Sequence, residues 1–209
     1  MIGCGNGHLD LEFVCGCLPN ITKLTAVEPD ADQMAELKTR VAQLLPAVAT
    51  NFYQETAQSW KGADEPFDAV LLFHCLYCVP LSERPAIYKK LFDNIVANDG
   101  LVFIMISPFN SEKPTSLIRL CSLLSIPAND IDGIQIRHMM TSAGFRHCCQ
   151  LLMIGQMDVE ELDDDFLDLF VFWGRGTSSR KEVCNAAEEV FGSEKTVPHE
   201  IWLGVFRKL

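Results

Sequence analysis

Three glycines in five residues, Gly3-Cys4-Gly5-Asn6-Gly7, stand almost at the start of the chain, and Glu28 closes the next predicted strand. Glycine has no β-carbon, so such a loop can turn sharply from strand to helix and let backbone amides approach a ligand. A carboxylate at the end of the following strand can accept both hydroxyls of a ribose. Strand, glycine turn, helix and acid-tipped strand together form half of a nucleotide pocket. They also commit the chain to an alternating α/β architecture. Only Met1 and Ile2 precede the loop, so the strand expected to feed it is reduced to a stub.

The alternation continues along the chain. Leu9, Phe13, Val14 and Cys17 outline a first helix ended by Pro19, and Leu24 to Glu28 reads as a strand. Asp30 opens a helix whose Met34, Leu37, Val41 and Leu44 share one face. Val48 to Tyr53 is a third strand, and the apolar run Phe67 to Phe73 suits a strand buried on both faces of a parallel sheet. Ser82 is expected to cap a helix burying Tyr88, Leu91, Phe92, Ile95 and Val96, after which Asp99-Gly100 turns into the strand Leu101 to Ile106. Helices follow over 116–124 and 130–143, the second closed by Gly144. A strand over 145–154, an acidic helix over 159–173, a helix opened by the capping box Ser179/Glu182 and a last strand from His199 to Phe206 complete the pattern. The expected fold is α/β, a doubly wound Rossmann-like sheet, mostly parallel with an antiparallel C-terminal edge.

At 209 residues the chain is expected to be one domain, 1–209, with a substantial core. A formal charge of −11 argues against nucleic acid, whose phosphates need a positive field. Apolar runs are too short for a membrane span, and the N-terminus lacks a signal-peptide pattern. Nine cysteines, an odd number set mostly in apolar stretches, read as buried thiols of a cytoplasmic protein. A monomer is expected.

Other chemistries find less support. Cys75-x-x-Cys78 has no second pair at zinc spacing and ends a strand, so it reads as packing, with no metal implied. No serine stands in a nucleophile-elbow context. Phe166, Phe170, Phe172 and Trp173 fit the inner face of a covering helix, or rings bordering a pocket for a cationic amine. A dinucleotide fingerprint would want its third glycine at His8, where a bulky ring would obstruct helix–strand packing.

The ordered set Gly3-Cys4-Gly5-Asn6-Gly7, Val27-Glu28-Pro29, Phe67-Asp68-Ala69-Val70 through Leu76-Tyr77, and Asp99-Gly100-Leu101-Val102 resembles the class I S-adenosylmethionine-dependent methyltransferases. Gly7-His8-Leu9-Asp10-Leu11, Val27 to Gln33, Glu55-Thr56 and Leu76-Tyr77-Cys78-Val79 are similar, more narrowly, to the histamine N-methyltransferases. The resemblance implies S-adenosyl-L-methionine as cofactor, held by Gly3, Gly5, Glu28, Gln33, Ala57 and Phe73. It implies a small-molecule amine substrate against His74, Tyr77 and His199, in a domain lacking its family's N-terminal segment. Ala57 replaces a serine, His74 a glutamine and His199 an asparagine of that family. Glutamine and asparagine do not titrate, whereas histidine does so near neutrality. No catalytic base is assigned. Three other readings stay open: a non-catalytic relative, a methyltransferase for a different acceptor, and a dinucleotide enzyme. His74 and His199 also each fit a purely structural role at a strand end.

Overall fold

The computed structural model describes residues 1–107, 116–125, 132–159 and 179–209. Along the chain run α1 (His8–Cys17), β1 (Lys23–Val27), α2 (Ala31–Leu44), β2 (Ala49–Tyr53), β3 (Phe67–Phe73), α3 (Arg84–Lys90), β4 (Val96–Ile106), α4 (Ser116–Leu123), α5 (Gly133–Ser142), β5 (Arg146–Asp158), α6 (Arg180–Phe191) and β6 (Thr196–Arg207). Beyond Val159, the acidic helix expected over 159–173 lies outside the described residues, and with it Phe166, Phe170, Phe172 and Trp173.

Two compact units divide the chain. The first comprises Met1–Met105, Arg137–Gln150 and Gly204–Leu209. In it β1 pairs in parallel with β2, from Lys23↔Ala49 to Val27↔Tyr53. β3 pairs in parallel with β4, from Ala69↔Leu101 to Phe73↔Met105. The second sheet has the order β3-β4-β6-β5, so the last two strands form its antiparallel edge pair, as the sequence suggests. Asp99 anchors β6, its amide donating to the Lys208 carbonyl at 2.9 Å and its carboxylate meeting Arg207 at 2.9 Å. Met1 to Gly3 lie between the two sheets: the Ile2 amide donates to Leu71 O, and the Gly3 amide to Val27 O. Ile2 bridges Val27 in parallel. Met1 to Gly3 thus lie beside the C-terminal ends of β1 and β3, leading directly into the glycine loop.

Apolar spacing explains the core of this unit. Met34, Leu37 and Val41 are the buried face of α2, four consecutive residues at the end of β3 are buried, and Ile87 and Tyr88 close from α3 with Leu91 just after it. α2 begins as expected at Asp30, whose carboxylate accepts from the Asp32 and Gln33 amides at 2.9 Å. Two expectations need correction. The N-cap of α3 is Glu83, without a side-chain cap bond, because the turn Leu76–Cys78 and Pro80 delay the helix past Ser82. α1 buries Asp10, Leu11 and Val14, leaving Leu9 exposed, because contact through Gly7 sets the helix's rotation.

The second unit holds Ile106–Ile136 and Leu151–Leu203. Leu120, Cys121 and Leu124 pack with Val183, Ala187 and Phe191, and with Val159 and Val197. The capping box forms as read: Ser179 Oγ accepts from the Glu182 amide, and the Glu182 carboxylate accepts from the Ser179 amide at 2.7 Å.

Candidate functional site

The glycine loop is left-handed at each of its glycines, with φ of +61° at Gly3, +52° at Gly5 and +73° at Gly7. That region disfavours residues with a β-carbon. Space forbids them too at the outer two. A β-carbon on Gly3 would sit 2.6 Å from Cys75 Cβ, and one on Gly7 would run into Leu37 of α2. Gly7→Ala is therefore expected to cost about 2 kcal/mol of stability, measurable by urea denaturation, from left-handed strain plus displacement of Leu37. Because Gly7 makes this contact, His8 is free to turn outward, where it is exposed and lies 3.7 Å from Glu12. The packing objection raised by His8 thus does not apply in this structure.

Glu28 leaves β1 and turns back onto the loop. Its Oε2 accepts the Gly5 amide at 2.8 Å and its Oε1 accepts the Asp30 amide at 3.1 Å. Its own amide donates to Tyr53 O at 3.0 Å, so β2 fixes its height. A carboxylate offers about four acceptor positions, and these bonds use two. The remaining lone pairs suit a pair of vicinal hydroxyls. Gln33, half-buried on the first turn of α2, brings its Oε1 to 3.4 Å from where a Gly5 β-carbon would stand. Gly3, Gly5, Glu28 and Gln33 are therefore one constellation.

A second constellation abuts it through Cys75. His74 follows β3 in a left-handed conformation, φ +51°, which is costly for a residue with a side chain. Its amide donates to Met105 O at 2.9 Å, and its Nδ1 lies 3.3 Å from the Tyr77 hydroxyl, with the two rings stacked. Phe73, just before it, is buried against Phe13 of α1, ring centroids 5.3 Å apart. Ala57 stands half-buried on the loop after β2, its carbonyl accepting Lys90 Nζ at 2.6 Å. The same ammonium reaches the carbonyls of Gln58 and Trp60. His199 belongs to β6 in the second unit, and its side chain lies outside the described residues.

Electrostatics identify a residue that the sequence reading passed over. Asp10, in the first turn of α1, is buried with Oδ1 unpartnered. Burial pushes its carboxyl up to about 7, the Met1 ammonium and its own amide offsetting part of the effect and Glu28 adding to it. The signal in the sequence is an acid inside the apolar run Leu9 to Val14. Burial likewise pushes the Cys4 thiol up to about 12 and the Cys75 thiol well above its ordinary value. Protonated thiols fit the packing role read for Cys75.

Residues 1–98 match the family model described as a methyltransferase domain. Among solved structures, one of a methyltransferase from Bacillus halodurans is 12% identical with a TM-score of 0.69, covering 99% of this chain and 90% of that one. An S-adenosylmethionine-dependent methyltransferase from Methanosarcina mazei is 15% identical, TM-score 0.61, covering 100% and 90%. The N-methyltransferase NodS from Bradyrhizobium japonicum, in complex with S-adenosylhomocysteine, is 12% identical, TM-score 0.59, covering 99% and 75%. No curated protein matches. The chain has the class I methyltransferase fold, and its first 98 residues carry the methyltransferase domain match. The cradle fits S-adenosylmethionine, the cofactor named for the Methanosarcina mazei protein: left-handed glycines bar β-carbons from the loop, and Glu28 keeps acceptor capacity beside it. Among the described residues no helix is long and apolar enough to cross a membrane, and no cluster of metal-ligating side chains occurs.

Proposed function

We propose that the chain is an S-adenosylmethionine-dependent methyltransferase for a small amine or imidazole compound. The observation that carries the cofactor part is the Glu28 carboxylate resting on the Gly5 amide at 2.8 Å inside a left-handed three-glycine loop. Bound there, the cofactor supplies an electrophilic methyl group on a sulfonium. Gly3 and Gly5 give it backbone room, Glu28 takes the ribose hydroxyls, Gln33 borders them, and Ala57 and Phe73 line the remaining wall.

The protein's own work is orientation and exclusion of water, which together can be worth roughly 7–11 kcal/mol. His74 and Tyr77 are the residues proposed to orient the acceptor. The strained backbone at His74 and its bond to Tyr77 hold two polar groups beside the glycine loop, an arrangement that favours a hydrogen-bonding acceptor over an apolar one. The histamine-like reading rests on the sequence resemblance, with His199 proposed as a further contact. A neutral imidazole can accept a hydrogen bond from an amine, whereas a protonated one repels its cation.

Calorimetry with S-adenosylhomocysteine, S-adenosylmethionine and NAD tests the cofactor: binding of the first two without NAD is expected, and NAD binding alone would refute the reading. His74→Ala tests the acceptor. It should leave S-adenosylhomocysteine affinity within about twofold while raising KM for an amine acceptor about tenfold, the worth of one well-placed hydrogen bond. An unchanged KM would return His74 to a structural role.

A further inference from the structure

The segment after β2 closes into a single turn held by its own side chains. Thr56 Oγ1 accepts the Ser59 amide and Ser59 Oγ accepts the Thr56 amide, both at 3.1 Å, and the Trp60 amide returns to Thr56 O at 3.0 Å. Thr56, Gln58 and Ser59 are exposed, and Ala57 is half-buried. One helical turn is marginal by itself in water, because its few bonds barely offset the ordering of its backbone. This turn therefore needs a hold from outside.

Lys90, the last residue of α3, supplies it. Its ammonium donates to the carbonyls of Ala57, Gln58 and Trp60 at 2.6, 3.2 and 2.6 Å. An ammonium has three donors and no acceptor, so its whole hydrogen-bonding capacity goes to this turn. Partial burial lowers the Lys90 pKa from its ordinary value, with Glu55 opposing. Bonds from a charge partly withdrawn from water are stronger than the same bonds at an open surface. Gln58 Nε2 adds a strap at the opposite end of α3, donating to Glu83 Oε2 at 3.0 Å. Beyond the turn, the Trp60 ring packs between Tyr53 and Phe67, at centroid distances of 5.8 and 6.3 Å.

We propose that Lys90 is a positioning residue for the cofactor, a role that rests on the reading above in which Ala57 lines the cofactor wall. Lys90 touches Ala57 from behind, through its carbonyl, and so acts on the cofactor only through the turn. With the ammonium in place the wall is preformed, and the cofactor binds without ordering it. Without the ammonium the turn spends much of its time released. Apparent affinity then falls in proportion to the fraction of molecules whose wall is in place.

Lys90→Met keeps the aliphatic stem and removes the ammonium. Amide hydrogen exchange at Ser59 and Trp60 is expected to quicken about tenfold, with the β3 amides from Val70 to Phe73 staying within about twofold of the parent. Calorimetry should find S-adenosylhomocysteine bound about tenfold more weakly. Saturation with that ligand should return the Trp60 amide to near its parental rate, since a ligand that needs the turn in place also holds it there. Lys90→Arg keeps the charge, but its planar fork cannot aim three donors from a single point. It should show both effects at about threefold, and it carries the comparison if Lys90→Met does not fold. Faster exchange with unchanged affinity would make Lys90 purely structural, and unchanged exchange would mean that the turn stands without it; either result overturns the proposal. A parent that binds no S-adenosylhomocysteine would instead refute the cofactor reading itself, and the role of Lys90 with it.

Discussion

Glu28→Ala is expected to weaken S-adenosylhomocysteine binding about a hundredfold by calorimetry, while the far-ultraviolet circular dichroism of the chain stays that of a folded α/β protein. The proposed ribose hydroxyls would donate to an ionised carboxylate, and hydrogen bonds to charged groups are worth about 1.5–3 kcal/mol each. The substitution also releases the Gly5 and Asp30 amides, which Glu28 holds at 2.8 and 3.1 Å. Glu28→Gln separates the two contributions. A glutamine oxygen can still take the Gly5 amide, so the loop keeps its shape while one strong acceptor is lost, and a drop of about tenfold is expected. If both variants bind as the parent does, the cradle is not the cofactor site.

How much of this could be read from sequence depended on whether the determining contact was local. Asp30 at the start of α2 and the Ser179/Glu182 pair at the start of α6 work within one helical turn, and both caps stand where their residue types put them. Gly144 closes α5 with φ +111°, and the Phe145 amide reaches back to Met140 O, again a local device. β3 announced itself by composition, since burial on both faces leaves little room for polar residues. The Glu28–Gly5 bond was legible for a different reason: the strand–turn–helix–strand order brings residues 23 positions apart together whatever fills the rest of the chain. Non-local determinants stayed hidden. Lys90 looks like an ordinary surface lysine near the end of α3, yet it gathers the carbonyls of Ala57, Gln58 and Trp60 from a loop some thirty residues away. The rotation of α1 departs from the apolar spacing of Leu9 and Cys17 because the close approach of Gly7 to Leu37 turns Asp10, Leu11 and Val14 inward.

Asp10 should make the stability of this chain fall as pH rises from about 4 to above 7, and Asp10→Asn should remove that dependence. The sign follows from the direction of the shift. Burial raises the folded carboxyl from 3.8 to about 7, so the folded state holds a proton that the unfolded state has already released. Well below 3.8 the group is protonated in both states and imposes no penalty. Through the interval up to 7 the penalty of a buried charge accumulates, and above 7 it is complete. A shift of this size corresponds to a penalty on the order of 4 kcal/mol, a large share of the stability of an ordinary domain. Asparagine has nearly the same shape and no charge to bury. Urea denaturation should therefore find parent and Asp10→Asn within about 1 kcal/mol of each other at pH 4.5, and the variant more stable by several kcal/mol at pH 8. The difference between the two proteins is the quantity to follow, since the other carboxylates titrate alike in both. Equal stability at pH 8 would mean that the Met1 ammonium compensates the Asp10 charge in full, and the acid under the glycine loop would then be ionised throughout the neutral range.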